Sequence, residues 1–218
     1  MEEVKNIEKI AEENSNLAKI EKESASEMKE LAKQSVKRAK AREMLARNEI
    51  EVAKVRERLA ERSKKLVEKK EKVKDLLKIG DDLLKAERVQ ARYNQEVAKI
   101  QTEIADIQKK IANVETEITE VRVKIANKKL DEAKERANLA KRIMVYVKLV
   151  NNNAPGEKIS KAEEAYHRIQ KYLTKIETDA LDLNKKIVEK QNKLADLKKD
   201  LSEKLNEREK VRPLEPSS

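Results

Sequence analysis

The sequence contains no cysteine, tryptophan or phenylalanine, and its 218 residues include only two glycines, three prolines and four tyrosines. The lack of cysteine excludes disulfides and thiolate metal sites, and it is compatible with a reducing compartment. Because aromatic residues make up only 2% of the chain, it cannot build a thick globular core. Burial must therefore come from narrow seams along helices or from contacts between subunits.

Targeting and membrane-spanning segments are also lacking. The N-terminal sequence MEEVKNIEKIAEE has no apolar stretch suited to a signal peptide. No run approaches the roughly 18 apolar residues that would span a bilayer. We expect a cytoplasmic protein that is soluble or peripheral to the membrane.

The residue patterns that carry catalysis are missing too. Neither glycine belongs to a phosphate-binding loop, and the carboxylates lie in a charged helical pattern rather than in a water-excluded pocket. His167 is the only histidine and has no cysteine or second imidazole to form a metal site. Tyr93 and Tyr166 fall at seam positions, which favours core packing over base stacking and makes nucleic-acid binding unlikely. The sequence predicts no enzyme activity, metal or cofactor.

What the chain does contain is a heptad repeat of alanines. Charged residues make up 43% of the sequence, a composition typical of long helices and coiled coils. A small side chain every seven residues lets a second helix approach closely. The two ladders mirror each other about a point near residues 75 and 76, which predicts an antiparallel hairpin. The ladder alanines are Ala11, Ala18, Ala25, Ala32, Ala39, Ala46, Ala53 and Ala60, then Ala91, Ala98, Ala105, Ala112, Ala126, Ala133 and Ala140, with Thr119 interrupting the second ladder.

Two breaks divide the chain into three predicted helices. The first break contains Gly80, Asp81 and Asp82, where glycine can adopt a left-handed conformation and an aspartate can cap the next helix. One continuous helix that tolerates a glycine at a cost of about 1 kcal/mol is the alternative. The second break is the polar segment NNNAPGE at 151–157. The predicted architecture is all-α and elongated, on the order of 100 Å long: a helical hairpin in 1–150 (helices 3–78 and 82–150), a third helix at 157–211 and a flexible tail at 212–218.

Each predicted helix carries an apolar heptad pattern. The best seam of the first helix is an aliphatic stripe at Leu45, Val52, Leu59, Leu66 and Val73. Upstream the stripe continues less apolar, as Ile10, Leu17, Ser24, Leu31 and Arg38, and up to Leu59 each of its members directly precedes a ladder alanine. The second helix has a seam at Leu83, Ala86, Gln90, Tyr93, Val97, Ile100, Ile104, Ile107, Ile111, Val114, Ile118, Val121 and Ile125, which shifts by one residue to Ala126, Leu130, Ala133, Ala137, Ala140, Met144 and Val147. The third has a seam at Ile159, Ala162, Tyr166, Ile169, Leu173, Ile176, Ala180, Leu183, Ile187, Lys190, Leu194, Leu197 and Leu201. If the third helix folds back on the second, it ends opposite residues 97–100.

The net charge of +10 is unevenly distributed. Residues 1–32 carry five basic and nine acidic groups, a balance of −4, whereas residues 33–78 carry 17 basic and eight acidic groups, a balance of +9. Polybasic helices bind anionic lipid surfaces, although lysines can equally pair with glutamates of their own helix, as Glu61 and Lys65 could. The candidate membrane-binding residues are Arg62, Lys64, Lys65, Lys69, Lys70, Lys72 and Lys74.

Two segments resemble a known family. The sequence GDDLLKAERV at 80–89 is similar to the hairpin turn of the phage-shock protein A family, which includes the vesicle-inducing protein in plastids and is related to ESCRT-III. An alanine-rich, basic helix end at 136–141, the polar loop at 151–157 and the helix at 162–180 follow in the family's order and spacing. The resemblance covers roughly residues 50–185.

The resemblance implies a non-enzymatic protein whose hairpins stack into rods or rings that bind and remodel anionic membranes. One feature departs from the family: its members begin with an amphipathic, membrane-inserting helix followed by an acidic, proline-containing segment. Here the first nine residues are acidic, and no proline occurs before Pro155. This difference argues against membrane insertion through an N-terminal helix.

We expect a self-assembling helical scaffold that associates peripherally with anionic membranes and stabilises or remodels them. Its expected partners are other copies of the chain, in rods or rings, and the membrane surface. A cytoskeletal or tethering coiled-coil rod, acting through protein contacts alone, is the main alternative. A curved, dimeric membrane binder similar to the banana-shaped three-helix domains is another.

Overall fold

The computed structural model describes residues 2–77 and 79–211, and in these ranges it contains only helices and their connections. The helices are α1 (Glu2–Lys72), the single turn α2 (Lys74–Leu77), α3 (Asp81–Asn151) and α4 (Gly156–Lys210). The all-α hairpin with a third long helix is therefore confirmed. The predicted tail at 212–218 lies outside the described residues.

The first connection reverses the chain through Ile79 and Gly80. The amide of Ile79 donates to the carbonyl oxygen of Lys74 at 3.1 Å, and the amide of Leu84 donates to that of Gly80 at 3.3 Å. The turn is a full reversal, because α1 and α3 pack side by side. The expectation that glycine supplies a left-handed residue is wrong, since neither glycine in the chain has a positive φ.

The second connection ends α3 with a Schellman motif. Asn153 has a φ of 48°. The amide of Asn153 donates to the carbonyl oxygen of Val150 at 3.1 Å, and that of Ala154 donates to Leu149 at 3.0 Å. These two bonds satisfy carbonyl groups that a helix end leaves without partners. Asparagine takes the left-handed position here because its short polar side chain tolerates that conformation better than most residues do.

The helices pack in two compact units. The first comprises Met1–Lys37 and Glu117–Lys190, and the second comprises Arg38–Thr116 and Gln191–Ser218. In the second unit, α1 and α3 are antiparallel, and the two residue numbers of each cross-pair add up to 157. These pairs are Arg42–Glu115 at 2.8 Å, Arg56–Gln101 at 3.0 Å and Lys70–Glu87 at 2.6 Å. In the first unit, Glu21 and Arg136 give the same sum, at 3.1 Å.

This register corrects the predicted mirror point. The two helices are reflected about a point between residues 78 and 79, not near residues 75 and 76. Ala53 accordingly lies in one core cluster with Ala105 rather than opposite Ala98. Because both ladders repeat every seven residues, sliding one against the other by a heptad restores the same alanine pattern. The ladder therefore predicts the antiparallel pairing but leaves its register open by seven residues.

Helix α4 packs antiparallel on α3 of its own chain. In the first unit, Lys128 lies 2.7 Å from Asp179, and Lys190 pairs with Glu117. In the second unit, Lys204 lies 2.7 Å from Glu103. Extending this register places the end of α4 opposite residue 97, which agrees with the expected fold-back. All members of the predicted third-helix seam are buried or half-buried.

The largest core cluster lies in the first unit. Leu139, Ile143 and Val147 of α3 pack between Ala11 of α1 and Leu173 of α4. At its edge the rings of Tyr146 and Tyr166 meet edge to face, with centroids 5.4 Å apart. The smaller core cluster of the second unit contains Ile50, Ala53 and Ala105. Both clusters are narrow, as a composition poor in large apolar residues requires.

Candidate functional site

The fifteen ladder alanines are all buried, with relative accessibilities of 7% or less. Thr119, which replaces one alanine of the second ladder, is buried as well. Each alanine presents only a methyl group, so the backbones of α1 and α3 can approach closely. The ladders are thus the packing surface that α1 uses against α3.

The aliphatic stripe of α1 lies on a different face and is exposed. A residue one position before an alanine points about 100° further around the helix. In the second unit, Leu45 is 59% exposed and Val73, the least exposed stripe member there, is 37% exposed. In the first unit, Ile10, Leu17 and Leu31 are also exposed. The sequence pattern predicts the part from Leu45 to Val73 as the best seam of α1, but among the described residues this part is not a core seam.

The first positions of the predicted α3 seam are exposed as well, because they lie past the part of α3 on which α4 packs. Leu83 is 57% exposed, and Ala86 and Gln90 are also exposed. These three positions were predicted as seam members, and that prediction is wrong because α4 ends before it reaches them. Leu84, one residue later than Leu83, is buried instead. From Tyr93 onward, the predicted α3 seam is buried or half-buried.

Two grooves between α1 and α3 differ in whether α4 residues line them. In the first unit, a groove of about 430 Å³ is lined by Leu31 of α1 and Ile125 of α3, and also by Asn184 and Ile187 of α4. In the second unit, a groove of about 290 Å³ is lined by α1 and α3 residues only: Arg56, Leu59, Ala60, Ser63, Asn94, Val97, Ala98 and Gln101. Helix α4 therefore contributes no residue to the walls of the second groove.

The basic stretch of α1 lies in the second unit, and its seven side chains divide into two groups. Lys70 lies 2.6 Å from Glu87 and Lys74 lies 2.9 Å from Asp81, across the hairpin. The hydrogen bond to Asp81 raises the pKa of Lys74, and the same bond lowers the pKa of Asp81. The other five residues are exposed, and no ion pair joins them to any described part of the chain: Arg62, Lys64, Lys65, Lys69 and Lys72.

The intrahelical pairing that could have neutralised this stretch is not formed. Glu61 makes no ion pair with Lys65, and Glu68 makes none with Lys72, among the residues that the structure describes. Glu71 instead pairs with Arg88 of α3. Among the described residues, the one acidic side chain of this stretch that forms an ion pair, Glu71, is therefore directed across the hairpin, and five cations remain open to solvent.

The predicted turn residues lie where α3 begins. Gly80 precedes the helix, and a Cβ built on it would meet nothing within 4 Å. Asp81 is the first residue of α3 and pairs with Lys74, while Asp82 is the second and lies 4.0 Å from Lys85. Both carboxylates lie at the positive end of the helix dipole, which stabilises negative charge.

Sequence reasoning did not identify a charge cluster in the first unit. Arg136 of α3 lies 3.1 Å from Glu21 of α1, 2.8 Å from Glu132 of its own helix and 3.1 Å from Glu177 of α4. Glu132 is buried, and the side chain of Arg136 is mostly so. Burial raises the pKa of Glu21, and the charge of Arg136 opposes that rise. One guanidinium thus joins three helices, which no spacing within a single helix could reveal.

His167 is exposed, and its Nδ1 lies 2.9 Å from Oε1 of Gln170. Its ring lies against that of Tyr166, with centroids 4.4 Å apart. Within the described ranges, no group of three or more His, Asp or Glu residues is arranged to hold a metal ion. No described helix is both long and apolar enough to cross a bilayer.

Comparisons with known proteins do not assign the chain to a family. No protein-family model matches it, and no curated protein sequence matches it. The two candidate surfaces are the aliphatic stripe of α1 and the five unpaired cations on the same stretch of that helix.

Proposed function

We propose that the protein is a non-enzymatic, self-assembling helical scaffold that associates peripherally with anionic membranes and stabilises or remodels them. The observation that carries this proposal is the combination found on α1 in the second unit. An exposed aliphatic stripe and five unpaired cations occupy the same stretch of helix. The stripe supplies surface for assembly, and the cations supply attraction to anionic headgroups.

The apolar stripe supports self-association. Large aliphatic side chains repeated every seven residues are typical of a helix that packs against another helix. Contiguous exposed apolar surface of this kind marks an interaction site in a folded protein. The hairpin uses its alanines for internal packing and leaves the larger side chains outside, so burying the stripe gives a substantial hydrophobic gain on association.

The unpaired cations support the membrane contact. A lysine or arginine near an anionic bilayer contributes roughly 1 kcal/mol of attraction, which falls off within a Debye length. Lys70 and Lys74 are already paired, so the proposed contact rests on Arg62, Lys64, Lys65, Lys69 and Lys72. Attraction of this kind holds a protein at the surface without insertion.

Co-sedimentation with liposomes, combined with negative-stain microscopy, tests the proposal. The variant Lys64→Gln, Lys65→Gln, Lys72→Gln should partition roughly a hundredfold more weakly to anionic vesicles, because three contributions of about 1 kcal/mol are removed. The matched control, Lys186→Gln, Lys193→Gln, Lys198→Gln, removes three exposed cations of α4 and should bind nearly as the parent does.

Equal loss in both variants would show that net charge, rather than the basic stretch, attracts the membrane. Assemblies that form but do not bind anionic vesicles would favour the tethering rod as the function. Small, discrete particles that also ignore the vesicles would contradict both parts of the proposal.

A further inference from the structure

The aliphatic stripe of α1 is flanked by charges whose sign changes along the helix. Residues three positions after the stripe lie beside it on the same face. In the first unit, two of these positions are Glu13 and Glu27; in the second unit, two are Arg62 and Lys69. All four are exposed and make no ion pair with the described residues. The stripe therefore has an acidic part and a basic part.

We propose that the stripe is covered by the α1 stripe of a second copy of the chain, in antiparallel orientation. This inference rests on the proposed self-assembly and specifies its first contact. The occupant is argued from charge complementarity and from the apolar repeat that both copies share. Like any isologous contact, it would place the same surface on both sides of a two-fold axis.

Charge selects the orientation. A parallel pair would place residues 33–78, with their balance of +9, against the same residues of the second copy. An antiparallel pair places residues 1–32, with their balance of −4, against the basic part of the partner. In the register of longest overlap, in which Ile10 of one copy faces Val73 of the other, Glu13 lies beside Lys69. Like charges across the contact are avoided, and opposite charges fix the orientation.

The heptad repeat allows registers that differ by seven residues, and among them we propose the one with the longest overlap of the two stripes. The overlap is longest when Ile10 of one copy faces Val73 of the other, which places the two-fold axis between residues 41 and 42. Ala41 is exposed. Because it is next to the two-fold axis, it lies close to Ala41 of the second copy. In the same register, Ser24, a polar interruption of the stripe, faces Leu59.

Because the chain lacks cysteine, single introduced cysteines report this arrangement directly. Ala41→Cys should form a disulfide-linked homodimer under mild oxidation. Ser24→Cys alone should not, but a mixture of Ser24→Cys with Leu59→Cys should give a heterodimer. Ser26→Cys is the matched control, because it makes the same exposed substitution on a different face of the helix and should not link to Leu59→Cys.

Charge reversal provides a second test that does not depend on oxidation. The variant Glu13→Lys should weaken self-association several-fold, since it places two like charges beside each other at both symmetry-related ends of the contact. Mixing it with Lys69→Glu should restore association between the two variants. Both positions are exposed, and circular dichroism checks that each variant remains helical.

The outcomes separate this inference from the proposed function. Self-linking of Ser24→Cys as efficient as that of Ala41→Cys would indicate a parallel pair and overturn it. Intact assemblies in which none of these pairs links would show that another surface mediates assembly. Stripe cysteines that become protected from maleimide only on adding anionic vesicles, without linking, would identify the membrane as the occupant. A monomeric mass by light scattering at all concentrations would overturn both the inference and the proposed self-assembly.

Discussion

The seam of α4 and the stripe of α1 are both built from large aliphatic residues at heptad spacing, yet the chain buries only one of them. Every predicted position of the α4 seam is buried or half-buried against its own chain. Every member of the α1 stripe in the second unit is exposed by more than a third. A heptad repeat of large apolar residues therefore predicts that a helix face packs against another helix, but it does not predict whether that second helix belongs to the same chain.

The difference follows from the second apolar face of α1. That helix carries both alanines and large aliphatic side chains, and it turns its alanines toward α3. Small residues permit the closest approach of two backbones and the densest packing between them. Helix α3 directs its large side chains toward α4 and its alanines toward α1, so none of the described helices remains to cover the α1 stripe.

The largest expected difference in stability is between two leucine-to-alanine variants, one in the buried core and one in the exposed stripe. Leu139 of α3 is 5% exposed and lies in the core of the first unit, whereas Leu31 of the α1 stripe is 63% exposed. Leu139→Ala should lower the free energy of unfolding by about 3 kcal/mol, because it leaves a cavity. Leu31→Ala should change it by about 0.5 kcal/mol or less.

Urea unfolding followed by circular dichroism, at protein concentrations low enough for the monomer, measures both values. Equal losses would show that the stripe is covered within the chain, and the comparison would fail.

Enlarging a ladder alanine tests why α1 turns its small residues inward. Ala25 is fully buried between α1 and α3, whereas Ala195 of α4 is exposed. Ala25→Leu should destabilise the fold by about 2 kcal/mol, since three extra heavy atoms force the helices apart. Ala195→Leu is the control and should lie within about 0.5 kcal/mol of the parent. Thermal unfolding compares the two, and a neutral Ala25→Leu would remove close approach as the reason for the ladder.

The charge cluster of the first unit should give a smaller, pH-dependent effect. Arg136 forms ion pairs with three carboxylates and its side chain is 22% exposed, whereas Arg42 forms an ion pair with Glu115 and its side chain is 67% exposed. Arg136→Gln should cost about 1.5 kcal/mol near neutral pH, after allowance for partial solvent screening. Arg42→Gln should cost about 0.5 kcal/mol or less.

The sign of the pH dependence follows from Glu21. Without Arg136, whose charge lowers the pKa of Glu21, that already raised pKa should rise further. When the pKa of a carboxyl group is higher in the folded protein than in the unfolded chain, its protonation stabilises the folded state. This contribution to stability is fully present below the pKa of the unfolded chain, and it is lost as the pH rises through the pKa of the folded protein. Arg136→Gln should therefore be less destabilising near pH 4 than near pH 7. Urea unfolding at both pH values measures this, and a pH-independent loss would assign the effect to packing alone.

Much of the fold could be predicted because heptad periodicity is a property of each helix by itself. The ladder alanines, the α4 seam and the loop at 151–157 could all be recognised in this way. The end of α4 opposite residue 97 also followed, because loop position and helix length fix how far an antiparallel helix reaches. The seam positions Leu83, Ala86 and Gln90 failed, since periodicity continues past the point where the covering helix stops.

The sequence by itself determined that the chain forms long helices, that they reverse near Gly80 and at 151–157, and which faces are apolar. Tertiary structure alone decided the hairpin register, because a heptad repeat matches itself at every shift of seven residues. It also decided which of the two apolar faces of α1 is buried, and which five cations of the basic stretch remain unpaired. Those outcomes depend on side chains brought together across helices, as Arg136 and its three carboxylates are, and contacts between helices are not encoded in the periodicity of any one of them.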